Sequence, residues 1–458
     1  MVNYSDHSIH ILLLPYPSQG HINPLFHFAR RLAGHSGVRC TLAVTRFVAS
    51  STRPATGSVH VAVFSDGCDD GGPDGVGGHR GPYFERLSSA GPGSVDRLLR
   101  SESELGRPVH VVVYDAFLPW AQSVARRRGA ACAAVLTQTC AVDVLYTHLL
   151  AGRIPSPPVR EELPPELAGL PVPARTDRPA DNRPPGLLEL LTSQFLGLGT
   201  ADHVLVNSFY DLEPQEADYL ASTWGAKTVG PNMPSANLDH HLPADDDDNV
   251  SYGVHLHTPM ATECKAWLDA HPPVSVVYVS FGSIASLGAR QMEELAEGLC
   301  SSGMPFLWVV RATETPKLPK NFAREAKARG LVVPWCPQLD VLAHPSVGCF
   351  VTHGGWNSTL EAISSGVPIV AMPHWSDQPT NAKYVQDVCG ASACGYGRIP
   401  MEWKEVERCV RQVMEGERCE EFRLKALEWS KKARKAMSSG GSSDINISDF
   451  LSKFKSHK

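Results

Sequence analysis

The chain has 458 residues, of which 43% are hydrophobic and 20% are charged, and its formal net charge is -6. This length exceeds what one hydrophobic core usually serves, so we expect two domains of roughly 200 residues each. The apolar fraction excludes extended disorder. Because the net charge is negative and the basic residues are scattered, we expect no binding to nucleic acid, and a small molecule is the favoured partner.

Cysteine usage and hydropathy bear on the cellular compartment. The twelve cysteines show neither a C-x-x-C pair nor an ordered ligand spacing, so we predict no zinc site and no disulfide framework. The N-terminus has no basic region followed by a long apolar stretch, and no run of about 18 apolar residues occurs. We therefore expect a cytoplasmic protein without a membrane span, and a monomer.

The N-terminal half alternates apolar strands with helical patterns. A predicted strand at 10–15 is followed by a turn at 16–20 and by a helix with Pro24 near its start. A further helix is predicted at 120–128. The other stretches that are predicted to be buried strands lie at 38–45, 109–114, 130–137 and 203–209. Such alternation indicates a doubly wound parallel sheet.

The C-terminal half repeats this organisation. Its predicted elements are a helix at 289–301 and strands at 274–282, 306–310, 330–333 and 348–352. The proline-containing, acidic stretch between the halves is typical of a solvated linker. We therefore expect an N-terminal domain at 1–238, a linker at 239–251, a C-terminal domain at 252–440, and a final helix at 441–458 that packs back on the first domain. The Gly/Ser/Pro-rich stretches 66–83 and 153–186 are predicted to be surface loops.

One turn in the C-terminal half has the features of a phosphate site. The strand at 348–352 delivers His353 and two glycines to a turn, and a helix then continues over 356–364. The start of a helix offers free N-H groups and a positive dipole end to an anion. Ser358 and Glu361 share a face of that helix. The pattern predicts phosphate-binding donors one turn away from a carboxylate that can accept the hydroxyls of a ribose.

The same segment carries a family resemblance. From Trp335-Cys-Pro-Gln338 through His353-Gly-Gly-Trp-Asn-Ser358 to Asp377-Gln378, it resembles the 44-residue donor signature of plant family 1 UDP-glycosyltransferases, without insertion or deletion. The resemblance covers nearly the whole chain. It implies a GT-B fold, in which two Rossmann-like, doubly wound α/β domains with parallel sheets face a cleft. It also implies UDP-glucose as co-substrate, no bound cofactor or metal, and an inverting glucosyl (hexosyl) transfer that yields a β-glucoside.

The resemblance further implies a set of UDP-sugar contacts. Trp335 is expected to stack on uracil, Gln338 and Glu361 to hold the ribose, and Asp377 and Gln378 to bind the glucose hydroxyls. The backbone of Cys336 is expected to contact the edge of uracil. The diphosphate is expected to be held by Ser283, His353, Asn357 and Ser358. The complete set is Ser283, Trp335, Cys336, Gln338, His353, Trp356, Asn357, Ser358, Glu361, Asp377 and Gln378.

Plainer interpretations of some of these residues stay open. Trp335 can belong to the core, Glu361 can be an exposed helix charge, and Ser283 can cap a helix. The chain also departs from the family twice. Gly354 stands where the family usually has cysteine, and the segment 389–400 lacks an expected tryptophan followed by alternating valines. We expect the second departure to affect local packing rather than the donor site.

A candidate base lies in the N-terminal half. His21 follows the first strand and Asp115 ends another, so both are predicted at the carboxyl edge of one sheet, where open α/β proteins bind ligands. An alcohol that attacks a sugar must lose a proton, and a neutral imidazole suits that task. A carboxylate on the other ring nitrogen fixes the tautomer. The matching residues of the family have these roles, although His21 alone can be structural and Asp115 can cap a helix.

The acceptor is the least determined part. Five residues fall on segments that line the acceptor pocket in the resembled family, although each can equally be core: Phe117, Leu118, Thr137, Gln138 and Gln194. The whole chain resembles grass glucosyltransferases that conjugate, and so detoxify, trichothecenes such as deoxynivalenol. Salicylate, auxin-like acids and flavonoids are alternative acceptors.

Other functional classes remain as alternatives. A UDP-sugar-binding protein without catalysis would need no base, and release of free UDP that depends on an acceptor would distinguish a transferase from a sugar-nucleotide epimerase. The absence of G-x-G-x-x-G after a strand argues against a dinucleotide oxidoreductase, and the absence of G-x-S-x-G argues against an α/β-hydrolase.

Overall fold

The computed structural model describes residues 9–51, 57–73, 80–156, 158–175, 187–239, 258–320, 322–394 and 401–454. These form two compact units. The first contains the described residues up to Ala151, those at 187–239 and those from Lys435 onward, and the second contains 152–175 and 258 to Arg434. Apart from Asp239, the predicted linker at 239–251 lies outside the described residues.

The first unit is built on a seven-stranded sheet in the order β3-β2-β1-β4-β5-β6-β7. Every pairing in it is parallel, with Leu13 opposite both Leu42 of one neighbour and Val113 of the other. The order reverses between β1 and β4, which makes the carboxyl ends of these two strands a topological switch point. The strands are β1 Ile9–Leu14, β2 Val38–Thr45, β3 Val59–Phe64, β4 Val111–Asp115, β5 Ala131–Leu136, β6 His203–Val206 and β7 Lys227–Thr228.

Helices connect these strands. The first begins at Gln19, so that residues 19 and 20, which the sequence predicted within a turn, already belong to its first turn. The third begins at Arg80 and therefore takes in the end of the loop predicted at 66–83. The helices are α1 Gln19–Ala33, α2 Arg46–Ser51, α3 Arg80–Glu104, α4 Trp120–Arg127, α5 Cys140–Leu150, α6 Leu187–Ser193 and α7 Pro214–Trp224.

The second unit has a six-stranded sheet in the order β10-β9-β8-β11-β12-β13, again with parallel pairings throughout. Its switch point lies between β8 and β11. The strands are β8 Val276–Ser280, β9 Phe306–Val309, β10 Gly330–Val333, β11 Val347–Thr352, β12 Ile369–Ala371 and β13 Ser392–Cys394. The helices are α8 Ala261–Asp269, α9 Ala289–Ser302, α10 Phe322–Glu325, α11 Gln338–Ala343, α12 Trp356–Ser365, α13 Gln378–Tyr384, α14 Trp403–Met414 and α15 Cys419–Met437.

Apolar side chains from one face of this sheet form a hydrophobic core of the second unit. Val277, Trp308 and Val351 contribute from the strands, and Leu295 of α9 and Val410 of α14 cover one face. Strands that are buried on both faces read as continuous apolar runs, which is why the sequence revealed them.

The segment that departs from the family begins inside this unit. Its strand β13 pairs in parallel with β12, and residues 395–400 lie outside the described residues. Trp429 of α15 donates its indole N-H to the carbonyl oxygen of Cys389 at 3.0 Å. An indole from elsewhere in the chain therefore packs against the start of this segment.

The last helix, α16 (Ser442–Ser452), belongs to the first unit. The Ser443 hydroxyl donates to the Gly230 carbonyl oxygen at 2.6 Å, and the Asn446 side-chain amide donates to the Thr228 carbonyl oxygen at 2.9 Å. Phe450 packs edge-on against His203 at the start of β6. The helix therefore covers the β7 edge of the sheet. None of the helices described here is both long and apolar enough to cross a membrane.

Candidate active site

The ends of β1 and β4 bring a histidine and an aspartate together. His21 occupies the first turn of α1, directly after β1, and Asp115 is the last residue of β4. His21 Nδ1 lies 2.6 Å from Asp115 Oδ2. The other carboxylate oxygen, Oδ1, accepts the backbone N-H of Phe117 at 3.0 Å. Asp115 therefore does both things that the sequence left open: it fixes the following turn and it contacts the imidazole.

The two members of this pair differ in their exposure to solvent. The Asp115 side chain is 1% exposed and that of His21 is 18% exposed. The imidazole contacts the rings of Tyr16 and Phe117, with centroid distances of 5.3 and 4.9 Å, and these two rings also contact each other. Since Nδ1 is engaged by Asp115, Nε2 is the nitrogen that can take up a proton. An imidazole held in this way can act as an oriented general base.

The five predicted acceptor residues fall into two groups. Phe117 packs on the imidazole, and Thr137 Oγ1 lies 3.3 Å from His21 Nδ1, so these two contact the base directly. Leu118 is fully buried. Gln138 and Gln194 are also buried, and Gln194 Nε2 donates to Gln138 Oε1 at 3.0 Å. The structure thus places Phe117 and Thr137 at the base and pairs the two glutamines with each other.

In the second unit, the predicted phosphate turn has the expected geometry. Gly354 adopts a φ of +77°, which glycine accepts without strain, and Gly355 precedes the first residue of α12. The His353 ring approaches two glycines so closely that a Cβ would clash with it. That atom would lie 2.6 Å from His353 Nε2 at Gly355 and 3.0 Å from Cε1 at Gly282. Glycine at these positions makes room for the imidazole.

The His353 imidazole is uncharged. Burial, with smaller contributions from the neighbouring His374 and Arg311, lowers its pKa to about 3. Thr352 Oγ1 lies 3.2 Å from His353 Nδ1. A neutral ring beside a helix N-terminus can donate a hydrogen bond to an anion but adds no positive charge there.

The start of α12 holds three of the predicted donor contacts. Trp356, the first residue, is 4% exposed, so its side chain belongs to the core and supports the helix start. Asn357 and Ser358 are the second and third residues, where backbone N-H groups have no partner within the helix. Ser283 lies in the loop that follows β8 and is half-buried. These positions are those that can present donors to a diphosphate.

A hydrogen-bonded group lies one turn further along α12. Gln338, the first residue of α11, donates from Nε2 to Glu361 Oε2 at 2.6 Å and to Ser358 Oγ at 3.0 Å. Burial raises the pKa of Glu361 to about 7, and the bond from Gln338 opposes that shift. Tyr278 Oη donates to Gln338 Oε1 at 3.0 Å. Sequence reasoning missed Tyr278 because it reads as one more apolar position of a buried strand.

The loop before α11 positions the two residues expected at the uracil. Trp335 is half-buried, and its carbonyl oxygen accepts the backbone N-H of Met260 at 3.0 Å. The Cys336 side chain is buried. A partly exposed indole held by its own backbone can present an aromatic face to a base.

The two residues expected at the sugar are held by hydrogen bonds to neighbours in α13 and in the segment just before it. Gln378 Oε1 accepts the backbone N-H groups of His374 at 2.9 Å and Trp375 at 3.2 Å, which leaves the side-chain amide N-H groups to act as donors. Asn381 donates to Asp377 Oδ2 at 2.6 Å and to the Gly354 carbonyl oxygen at 3.0 Å. Asn381 was not predicted, although its position four residues after Asp377 on one helix was a usable signal.

Across the described ranges, no group of three or more His, Cys, Asp or Glu residues could hold a metal ion.

Comparison with known proteins agrees with the geometry. Residues 238–428 match the family described as UDP-glucoronosyl and UDP-glucosyl transferase. The UDP-glucosyltransferase UGT13248 of Hordeum vulgare subsp. vulgare is 47% identical, covering 97% of this chain and 94% of that protein. The crystal structure of Os79 from O. sativa in complex with UDP has 46% identity, covers 97% of this chain and 100% of that one, and gives a TM-score of 0.89. The complex of Os79 with trichothecene gives 45% identity, the same coverage and a TM-score of 0.88.

These similarities confirm the predicted GT-B fold class and the predicted use of a UDP-sugar as co-substrate. They extend over both units rather than the donor signature alone. The chain belongs to the plant family 1 UDP-glycosyltransferases, enzymes that transfer a sugar from a UDP-sugar to small acceptor molecules.

Proposed function

We propose that this enzyme transfers glucose from UDP-glucose to a hydroxyl group of a trichothecene such as deoxynivalenol, with His21 as general base and Asp115 as its partner. The observation that carries the proposal is the contact of 2.6 Å between His21 Nδ1 and Asp115 Oδ2. A buried carboxylate on one ring nitrogen leaves the other nitrogen to receive the acceptor's proton. A protein that only bound UDP-sugar would have no use for this pair.

The reaction is a single displacement. The acceptor hydroxyl donates a hydrogen bond to His21 Nε2, and its oxygen attacks the anomeric carbon of glucose. The proton moves to Nε2 as the new C-O bond forms, and Asp115 stabilises the imidazolium. The bond between the anomeric carbon and the β-phosphate oxygen breaks, and UDP leaves with the electron pair. Attack opposite the leaving group converts the α-linked donor into a β-glucoside.

The second unit supplies the donor site in this proposal. Trp335 stacks on uracil while the Cys336 backbone meets the base edge. Gln338 and Glu361 accept hydrogen bonds from the ribose. Asp377 and Gln378 bind the glucose hydroxyls, and the amide N-H groups that Gln378 keeps available suit that task.

Charge develops on the leaving UDP, and the proposed diphosphate contacts lie where that charge grows. They comprise Ser283, neutral His353, and the backbone N-H groups and side chains of Asn357 and Ser358 at the start of α12. Fixed donors and a helix dipole stabilise such charge without reorganisation. This chemistry proceeds without a metal ion.

The acceptor assignment rests on chemistry and on similarity. Phe117 and Tyr16 give the surroundings of the base an apolar, aromatic character that fits a lipophilic acceptor. Os79, which is 45% identical, has been seen with trichothecene bound. An aliphatic hydroxyl stays protonated at neutral pH and needs a base, whereas a carboxyl acceptor such as salicylate or an auxin is already ionised. The oriented base therefore favours an alcohol.

The decisive experiment measures UDP release from UDP-glucose with EDTA present, over deoxynivalenol, a flavonol, salicylate and an auxin, with mass spectrometry of each product. We expect a mass increase of one glucose on deoxynivalenol and UDP release that depends on it. Turnover of the acids alone would overturn the trichothecene assignment. UDP-glucose binding with no acceptor-dependent release from any of the four would instead indicate a binding protein.

A further inference from the structure

A tyrosine hydroxyl is buried beneath the donor site. Tyr278 lies in the middle of β8, and its side chain is 1% exposed. Its ring stacks on that of Phe350 in β11, with centroids 4.8 Å apart and planes 14° from parallel, and the two residues are partners in the sheet register. The sheet therefore fixes the position of the hydroxyl.

This hydroxyl contacts one residue of the loop before α11 and the first residue of α11 itself. Tyr278 Oη lies 3.0 Å from Gln338 Oε1 and 3.2 Å from Cys336 Sγ. A carbonyl oxygen is a much stronger acceptor than a thiol sulfur. The phenolic proton therefore goes to Gln338, and the thiol can donate to the phenolic oxygen.

The contacts of the Gln338 amide nitrogen require the same orientation of the amide group. Its two N-H groups are directed at Glu361 Oε2, 2.6 Å away, and at Ser358 Oγ, 3.0 Å away. If the amide were turned over, its oxygen would face the Glu361 oxygen, and two acceptors would repel each other. Tyr278 and Glu361 thus fix the amide from both sides.

We propose that Tyr278 is a positioning residue for the nucleotide ribose. Its hydroxyl holds Gln338 so that the second lone pair of Gln338 Oε1 and the open positions of the Glu361 carboxylate face the two ribose hydroxyls. Because the acceptors are oriented before the nucleotide arrives, binding does not bear the entropy cost of ordering them. The inference rests on the proposed assignment of the ribose to Gln338 and Glu361.

The test removes the hydroxyl and keeps the ring. In Tyr278→Phe we expect the Kd of UDP, measured by isothermal titration calorimetry, to rise about five- to tenfold, as for the loss of one orienting hydrogen bond. The KM for UDP-glucose rises by the same factor while kcat stays unchanged. The Kd of 2′,3′-dideoxy-UDP stays at its wild-type value because that nucleotide lacks the hydroxyls in question.

Tyr219→Phe is the matched control, because it also deletes one tyrosine hydrogen bond, to His148 in the first unit, and should leave both Kd values unchanged. An unchanged UDP Kd in Tyr278→Phe, or equal weakening of both nucleotides, would overturn the positioning role. Glu361→Gln tests the assignment of the ribose separately from the role of Tyr278. If it leaves UDP binding intact, the ribose assignment fails and the role of Tyr278 with it. If it weakens UDP binding and Tyr278→Phe does not, only the role of Tyr278 fails.

Discussion

The two units build their candidate sites in different ways. In the first, the proposed base depends on one strong side-chain contact between residues that lie 94 positions apart, on helix α1 and strand β4. In the second, the proposed donor contacts come mostly from one continuous segment, and Gln338, Ser358 and Glu361 share hydrogen bonds with one another. The first site concentrates its chemistry in one proton acceptor, whereas the second spreads binding over many small contributions.

This difference predicts how each site fails. A change at the base should remove turnover and leave nucleotide binding intact, because no donor contact is assigned to the first unit. A change in the second unit should weaken donor binding by a moderate factor, because the remaining contacts still act. The following variants test this division between turnover and nucleotide binding.

The largest effect is expected for His21→Ala. Loss of a general base lowers kcat by about 10³-fold for a hydroxyl acceptor. The Kd of UDP should equal that of wild type by calorimetry. His60→Ala, which removes an exposed histidine from the edge strand β3, serves as control. Intact turnover would remove His21 from the mechanism, and a weakened UDP complex would end the proposed division between the units.

Asp115→Asn should come next, with a fall in kcat of about 10²-fold. The asparagine can place its N-H group against His21 Nδ1, which favours the tautomer whose proton sits on Nε2 and so blocks the base. Steady-state kinetics at saturating UDP-glucose measure this effect. Asp96→Asn, at a partly exposed ion pair with Arg128, is the control. Wild-type kcat would restrict Asp115 to fixing the turn through the Phe117 N-H.

Trp335→Ala should act on binding alone. The loss of base stacking is worth about 1–3 kcal/mol, which corresponds to a Kd for UDP about five- to 150-fold higher. Trp403→Ala removes another half-buried tryptophan, at the start of α14, and should leave the Kd of UDP unchanged. A Kd that stays constant in Trp335→Ala would assign this indole to the core.

The smallest effect concerns pH. Burial raises the pKa of Glu361 to about 7, so the carboxyl is protonated below that value and ionised above it. The ionised form accepts both ribose hydroxyls, so UDP should bind about three- to tenfold more tightly at pH 8 than at pH 6. Calorimetry across this range measures the difference. Glu361→Gln should bind UDP more weakly and lose this part of the pH dependence, and an unaltered profile would show that Glu361 does not titrate with binding.

The sequence predicted the local structure around the candidate site of the second unit more directly than that of the first. A strand, two glycines and a helix that follow one another in the chain give the phosphate turn directly, since the geometry is local. Buried parallel strands can also be recognised in the sequence as continuous apolar runs. Helix α3 was not predicted because Gly91, Pro92 and Gly93 lower the helical propensity of its sequence. Packing against the sheet compensates for this low propensity.

Contacts that depend on tertiary structure were less accessible. The sequence placed His21 and Asp115 at strand ends, but only the adjacency of β1 and β4 brings them within 2.6 Å. The order of strands in a sheet is set by long-range packing, which no local pattern encodes. Tyr278 and Asn381 were missed for a related reason, because a buried polar group shows its importance only through its partners.

Helix α16 has a practical consequence for anyone who shortens or fuses this chain. Its contacts with Thr228, Gly230 and His203 cover β7, the edge strand of the first unit's sheet. An uncovered edge strand offers unpaired backbone groups to a second molecule. Removal of α16 would therefore delete Phe450, uncover His203 together with that edge and favour aggregation, although the deleted helix lies far along the sequence from either proposed site. Affinity tags are better attached after an intact α16 than in its place.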